Sequence, residues 1–207
     1  MALLHAAQIS PSKIELIRTW APTQPWFAGD DLGLEIIGSY RFDDPDGEVG
    51  IETLIVRAGE GPFLQVPLTY RGAPLAGADE WLITTMEHSA LGRRWVYDAS
   101  GDPVYAAALA TTILGGGTQA PLEREENGVR TPVEPSVHVI GSGTQVDMDT
   151  VGLVDVRDVD ASTVIVTSAA ELELLRIVGD DSWALGGKTL TGTWAGRPDP
   201  VLLAVAR

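Results

Sequence analysis

The chain has 207 residues, 44% of them hydrophobic, which is enough apolar material for one large or two small globular domains. Its 29 acidic and 14 basic residues give a formal net charge of −15, which argues against binding to nucleic acid and to anionic membranes. The absence of cysteine excludes disulfides, thiolate nucleophiles and thiolate metal sites. The first residues lack the pattern of a signal peptide, and no apolar run reaches the length of a membrane span, so we expect a cytoplasmic protein.

A short amphipathic helix is predicted near the N-terminus. Ser12 and Glu15 have the spacing of a capping box, and apolar residues then recur at helical intervals up to Trp20. Pro22 and Pro25 end this helix, because each lacks an amide donor and restricts the residue before it.

Three strands are predicted after the helix. Strand-forming residues cluster over residues 34–40, 49–56 and 63–70, with turn residues between them. Consecutive strands with short connections predict an antiparallel sheet. The first turn, residues 43–47, is acidic but lacks the glutamate at the twelfth position of a calcium loop, so we interpret it as a solvated turn.

A second helix is predicted to begin at Pro103 with Asp102 as its N-cap, and the glycines at 115–117 end it. The polar segment 118–135 follows and is the strongest internal boundary. Strand-like segments then predominate, at residues 137–140, 152–156, 163–166, 172–178, 189–194 and 201–205. The pattern predicts an α+β fold, with a curved antiparallel sheet flanked by few helices and then a mostly β C-terminal portion.

The segment W-A-P-T-Q-P-W-F-A-G, residues 20–29, stands directly after the first helix. This arrangement resembles the start of the N-terminal cap domain of actinobacterial maltokinases, although Pro25 stands where that family usually carries arginine. Residues 63–68, 94–98 and 102–105 are similar to the strand, the Tyr-Asp turn and the helix that follow in the cap. The resemblance implies a cap-like α+β domain over residues 1–117.

Residues 162–166 and 172–176 are similar to the first hairpin of the kinase nucleotide-binding lobe. The resemblance therefore implies that residues 118–135 connect the cap-like domain to a truncated kinase N-lobe, residues 136–207. Glu173 occupies the position of the lysine that contacts the nucleotide phosphates. A carboxylate repels phosphate, and the sequence has no kinase catalytic loop and no Asp-Phe-Gly-like metal site, so we expect no nucleotide cofactor and no kinase activity.

The densest polar and aromatic cluster runs from Glu87 to Asp98. In a catalytic interpretation, His88 is a general base oriented by Asp98, and Arg93 or Arg94 binds an anion. In a structural interpretation, Asp98 pairs with Arg94 or with backbone amides just before the second helix, and His88 is a hydrogen-bonded turn residue. We favour the structural interpretation, because no serine elbow, metal triad or second base accompanies the histidine.

Other candidate sites are weaker. The three histidines match no zinc spacing, so no metal site is predicted. Gly141-Ser142-Gly143 is too short for a phosphate-binding loop and lacks the Lys-Ser/Thr ending. The six tryptophans would serve as sugar-stacking platforms or, as is more common, as core and domain-junction anchors.

The leading functional hypothesis is a non-catalytic, cap-like regulatory or scaffolding protein linked to α-glucan, trehalose or glycogen metabolism. That pathway is implied by the resemblance alone. It entails a protein partner, such as a kinase or a glucan or trehalose enzyme, or self-association. Two alternatives are an enzyme acting on a small molecule or sugar at His88, Arg93, Arg94 and Asp98, and a small-ligand carrier that uses the concave face of the sheet.

Overall fold

The computed structural model of the chain describes residues 2–5, 8–27, 33–126, 129–145, 150–179 and 186–207. In these residues the chain forms two α-helices and three β-sheets, which confirms the predicted α+β class. The helices are α1 (Lys13–Trp20) and α2 (Pro103–Gly115). The strands are β1 (Ala2–His5), β2 (Ile9–Ser10), β3 (Leu34–Phe42), β4 (Gly50–Ala58), β5 (Phe63–Arg71), β6 (Leu82–His88), β7 (Gly92–Asp98), β8 (Leu122–Glu126), β9 (Val129–Val133), β10 (Val137–Gly141), β11 (Leu153–Val159), β12 (Ser162–Thr167), β13 (Glu171–Leu175), β14 (Ile177–Val178), β15 (Lys188–Trp194) and β16 (Arg197–Ala206). Neither helix is long and apolar enough to cross a membrane.

Helix α1 begins at the predicted capping box. The Glu15 amide donates to Ser12 Oγ at 3.4 Å, and the Ser12 amide donates to Glu15 Oε2 at 2.8 Å. The hydrogen bonds from Ser12 lower the pKa of the Glu15 carboxyl. The helix ends at Trp20 and passes into a 3₁₀ turn, Ala21–Thr23, at the predicted prolines.

The N-terminal sheet has seven strands in the order β2-β6-β7-β5-β4-β3, with β14 added on β5. The predicted antiparallel arrangement of β3, β4 and β5 is confirmed. Strands β6 and β7 were not predicted, because their polar residues gave no clear alternation and the segment 94–98 resembled a turn. The structure places Gly92–Asp98 in an extended strand instead.

Both faces of this sheet are buried at its centre. Successive residues of β4 point to opposite sides, so Leu54 joins the cluster under α1 and Ile55 joins the larger core. Residues 20–29, which we call the motif segment, contribute to the cluster under α1. The cluster consists of buried apolar side chains from α1, the motif segment and the sheet: Leu16, Ile17, Ala21, Trp26, Leu34, Leu54, Val56, Leu64, Val66, Leu68, Met86 and Val96.

The C-terminal sheet has six antiparallel strands in the order β10-β15-β16-β13-β12-β11. Helix α2 packs between this sheet and the N-terminal sheet, and its buried face belongs to the larger core. Its predicted start is confirmed, since Asp102 Oδ1 accepts from the Val104 amide at 2.9 Å. The core of the C-terminal portion is therefore continuous with one face of the N-terminal sheet.

The segment predicted as a polar connection, residues 118–135, contains the hairpin formed by β8 and β9. Strand β1 adds to β8 in parallel and completes a small third sheet. The proposed division at residues 117 and 135 stays a prediction.

Gly141 and Gly143 have a structural role at the end of α2. The Gly143 amide donates to the Ile113 carbonyl at 2.8 Å, and the Gln145 amide donates to the Leu114 carbonyl at 2.9 Å. These bonds satisfy carbonyls that have no partner within the helix. The approach requires glycine, because a Cβ on Gly143 would lie 1.9 Å from the Leu114 carbonyl oxygen.

Candidate functional site

The centre of the molecule contains a buried arginine at the point where the chain crosses between its two larger sheets. Arg176 separates β13, in the C-terminal sheet, from β14, which pairs with β5 in the N-terminal sheet. The sequence predicted a single strand over 172–178, and the structure divides it at this residue. We call Arg176 and the side chains that contact it the Arg176 junction.

The Arg176 guanidinium is completely buried and binds side chains from both sheets. Its Nη2 donates to Asp98 Oδ2 at 2.6 Å and to Ser100 Oγ at 2.8 Å, and its Nε donates to Thr163 Oγ1 at 2.8 Å. The Trp26 ring lies against the guanidinium, 4.9 Å from its carbon to the ring centroid. A buried charge requires such partners, because moving an ion out of water without a counter-ion or hydrogen-bond partners costs free energy.

Asp98 reaches the junction because it ends strand β7. Its Oδ1 accepts from the Ser100 amide at 3.0 Å and caps the 3₁₀ turn Ala99–Gly101, while its Oδ2 faces Arg176. One carboxylate therefore orders the connection to α2 and also neutralises the buried guanidinium.

A second buried polar residue ties the two sheets together. Gln65 of β5 donates through Nε2 to the Leu175 carbonyl at 2.8 Å and to the Leu203 carbonyl at 3.0 Å. Its Oε1 accepts from the Tyr40 hydroxyl at 2.9 Å. Burial raises the pKa of the Tyr40 hydroxyl, so Tyr40 stays a donor at physiological pH.

A surface pocket of about 170 Å³ opens beside the junction. Trp20 and Gln24 of the motif segment form part of its wall. The other lining residues are acidic or aromatic and come from separate parts of the chain: Glu80, Trp81, Asp98 and Asp158. Two indoles and three carboxylates therefore converge on one small cavity.

Trp81 takes its place in the pocket wall because Gly101 has no side chain. A Cβ on Gly101 would lie 2.1 Å from Trp81 Cγ, so the indole rests directly on the backbone of the turn after Asp98. Asp158 of β11 is fixed in a similar way, since its Oδ1 accepts from Thr163 Oγ1 at 2.6 Å. Thr163 also binds Arg176, which links the pocket to the Arg176 junction.

His88 and Asp98 lie at opposite ends of the β6–β7 hairpin. His88 pairs with Gly92 at one end, and Asp98 lies six positions beyond Gly92, which is about 20 Å along an extended strand. His88 Nδ1 accepts from the amides of Ala90 and Leu91 at 3.3 and 3.1 Å, within the hairpin turn. The geometry does not bring the two side chains together as the catalytic interpretation requires.

The two arginines of the predicted cluster also lie away from Asp98. Arg93 pairs with Glu87 at 3.0 Å on the surface, and Arg94 donates to the Leu91 carbonyl at 3.0 Å. The expected ion pair between Arg94 and Asp98 is wrong, because the two residues are four positions apart on β7, or about 13 Å along the strand. The other expected partner, a backbone amide before α2, is confirmed by the bond from Ser100. Arg176 replaces Arg94 as the partner of Asp98.

Glu173 lies on β13, in the interior of the C-terminal sheet. Its Oε2 accepts from Arg207 Nη1 at 2.8 Å, and Ser162 Oγ donates to its Oε1 at 3.4 Å. The carboxylate is therefore already bound by residues of the neighbouring strand and the C-terminus.

A buried acid lies on the sheet at the side of α1. Glu52 accepts from Arg41 at 3.2 Å and from the Tyr70 hydroxyl at 3.1 Å, and it forms an ion pair with Lys13 of α1. Burial acts to raise the pKa of the Glu52 carboxyl, but Arg41 and Lys13 outweigh it, so the pKa is lowered. This cluster fixes α1 on the sheet.

Four of the six tryptophans lie in the core or line the pocket, and Trp95 is half-buried on β7. Trp26 and Trp194 are buried, as the anchor interpretation predicts. Trp20 and Trp81 line the pocket, and Trp183 lies outside the described residues, as do Ala28 and Gly29 of the motif. No cluster of three or more potential metal ligands occurs among the residues that the structure describes.

The part of the chain from Trp20, the first tryptophan of the motif, to Asp102, the N-cap of α2, is similar to a known family. Residues 20–102 match the family model of the maltokinase N-terminal cap domain. The resemblance predicted from the sequence is thereby confirmed for this range, which we call the cap segment. A comparison with curated proteins gave no match.

The cap segment contributes most of the pocket but not all of it. Trp20, Gln24, Glu80, Trp81 and Asp98 lie within it. Asp158 and Arg176 lie beyond it, and sequence reasoning missed both of them. The sequence feature that could have revealed the junction is the charge of Arg176 inside the largely apolar run 172–178. An arginine in such a run is rarely buried without a partner, so a buried acid elsewhere in the chain could have been expected.

Proposed function

We propose that the chain is a maltokinase-cap-related protein that acts by binding rather than by catalysis, as a regulatory or scaffolding partner in α-glucan, trehalose or glycogen metabolism. The match of the cap segment supports the relationship to maltokinases. The metabolic link is inferred from that relationship.

The observation that carries the proposal is the environment of Glu173. At the position that resembles the phosphate-contacting lysine, the chain has a carboxylate held by Arg207 at 2.8 Å. A lysine there would attract the α- and β-phosphates, whereas this carboxylate repels them. A C-terminal sheet that has a carboxylate at this position fits a partner of catalytic proteins better than a kinase.

Neither alternative has comparable support. An enzyme at His88 and Asp98 would need the two side chains in hydrogen-bond reach, and they occupy opposite ends of a hairpin. A carrier would need an open concave face, but the central strands of the N-terminal sheet are buried on both faces among the described residues.

The proposal that the chain does not act as a kinase is tested with Mg-ATP. We expect no saturable binding of Mg-ATP in calorimetry and no phosphate release above the buffer rate. Glu173→Lys serves as the matched variant, and it is expected to gain no turnover, because one lysine does not supply a catalytic loop. Measurable ATP turnover by the purified wild-type chain would contradict the proposal.

The partner is tested by quantitative co-purification from native lysate under several growth conditions. We expect a kinase or an enzyme of glucan or trehalose metabolism to be recovered reproducibly. An unrelated acidic protein of similar net charge serves as the control bait, since an acidic surface alone attracts basic proteins. Recovery of the same proteins by both baits, or of no such enzyme, would contradict the assignment.

A further inference from the structure

We propose that the pocket between Trp20 and Trp81 is a binding site for an organic cation, which it holds by an ammonium group. This inference concerns the ligand of the pocket and does not depend on the identity of a protein partner or on the metabolic link.

The charges that line the pocket favour a cation. Asp98 is neutralised by Arg176, but Glu80 and Asp158 take part in no ion pair among the described residues. In the described part of the chain, no lysine, arginine or histidine lines the pocket. Two carboxylates without counter-ions therefore face the cavity of a chain with a net charge of −15, which favours cations and repels phosphates and carboxylates.

The pocket also has an aromatic wall, formed by Trp20 and Trp81. Indole rings attract ammonium groups through their negative faces, and they do not coordinate metal ions. Trp20 lies edge-on to Trp26 with ring centroids 5.6 Å apart, and Trp81 rests on the backbone of Gly101. Both indoles are thus held in place before a ligand arrives, which reduces the entropy lost on binding.

The size of the pocket limits the ligand to a small group. The volume of about 170 Å³ is below the roughly 300–1,000 Å³ of sites for drug-sized ligands. It suits a compact head group such as trimethylammonium. The mixture of aromatic faces and carboxylates favours such a group over a simple metal ion, which would take a purely oxygen-lined site.

The ligand class is tested with a matched pair of probes. Choline carries a trimethylammonium group, and 3,3-dimethyl-1-butanol has the same shape without the charge. Binding to the full chain is followed by calorimetry and by tryptophan fluorescence. We expect choline to bind at least about fivefold more tightly than the alcohol, with an affinity that falls as salt is added.

The site is tested with charge and ring variants. Glu80→Gln combined with Asp158→Asn is expected to weaken choline binding at least about fivefold, whereas Asp199→Asn, an exposed acid outside the pocket, leaves it unchanged. Trp81→Leu is expected to abolish binding and Trp81→Phe to retain part of it, because only the second keeps a ring face. Melting curves of each variant establish that it remains folded.

Several results would overturn the inference. They are no binding of choline or tetramethylammonium by the folded wild-type chain, equal binding of choline and the alcohol, and binding unaffected by the double charge variant. Salt-independent binding of maltose at the same pocket, detected by competition, would assign it to neutral sugars instead. None of these results bears on the Mg-ATP assay, so the two proposals fail separately.

Discussion

Asp98 and Arg176 are 78 positions apart in the chain, yet the carboxylate and the guanidinium meet at 2.6 Å with almost no exposure to water. Each charge is tolerated in the interior because the other is present. The cost of breaking this pair is therefore the cost of leaving one buried ion uncompensated.

Asp98→Asn is expected to lower the free energy of unfolding by about 3–5 kcal/mol, because Arg176 would keep its buried charge. Urea unfolding followed by circular dichroism measures the change. Arg93→Gln is the matched control, since it breaks the exposed pair with Glu87 and should cost less than about 1 kcal/mol. Adding Arg176→Met to Asp98→Asn should restore part of the loss, and similar effects of Asp98→Asn and Arg93→Gln would contradict the structural role of Asp98.

Trp26→Ala is expected to destabilise the chain by about 3–5 kcal/mol or to prevent folding, because it removes a large buried ring from between α1 and Arg176. Trp26→Phe keeps an aromatic face against the guanidinium and should cost markedly less. Thermal unfolding of the two variants compares them directly. A mild effect of the alanine variant would assign Trp26 to recognition rather than to the core.

Gly143→Ala is expected to destabilise the chain by at least about 1–3 kcal/mol, since the new methyl group would overlap the Leu114 carbonyl oxygen and displace the segment after β10 that completes the end of α2. Gly186→Ala is the matched control. A Cβ at Gly186 meets no atom within 4 Å, so this change should be neutral or slightly stabilising. Equal melting temperatures for the two variants would exclude the close approach.

Glu52 should make stability depend on pH in the acidic range. Its pKa is lower in the folded state than the value of about 4.3 expected when unfolded, so its contribution is complete above that value and is lost as pH falls through the folded pKa. Glu52→Gln should reduce stability at neutral pH and flatten the decline below about pH 4.3. The measurement is a series of urea titrations between neutral and acidic pH, with the exposed Glu60→Gln as control. A Glu52→Gln curve parallel to that of the wild type would contradict the assignment.

Local signals predicted the local features of the fold. The capping box of α1, the Asp-Pro start of α2 and the meander of β3 to β5 depend on residues close together in the sequence, and all three are confirmed. The motif beginning at Trp20 predicted the cap resemblance for the same reason, because its residue types and spacing stand in one short segment.

The pocket and the Arg176 junction could not be predicted in the same way. The pocket residues come from α1 and the turn after it, from the 3₁₀ turn before β6, and from β7 and β11. The junction adds residues of β12 and the residue between β13 and β14, and no periodicity relates such distant positions. The cluster around His88 attracted attention because its polar residues are neighbours in sequence. In an extended hairpin, each residue adds about 3.3 Å along the strand. Polar residues that are close in the sequence, such as His88 and Asp98, therefore lie far apart in space.

The dependence of Asp98 on Arg176 bears on how the cap segment can be exchanged between proteins. If residues 20–102 were grafted alone onto an unrelated protein, the buried Asp98 carboxylate would lack its counter-ion, Arg176. Gln65 would likewise lose the carbonyl groups of Leu175 and Leu203 that accept its hydrogens. A recipient scaffold must therefore present a cation and two strand carbonyls at the same places, so this segment is portable only together with the strands that face it.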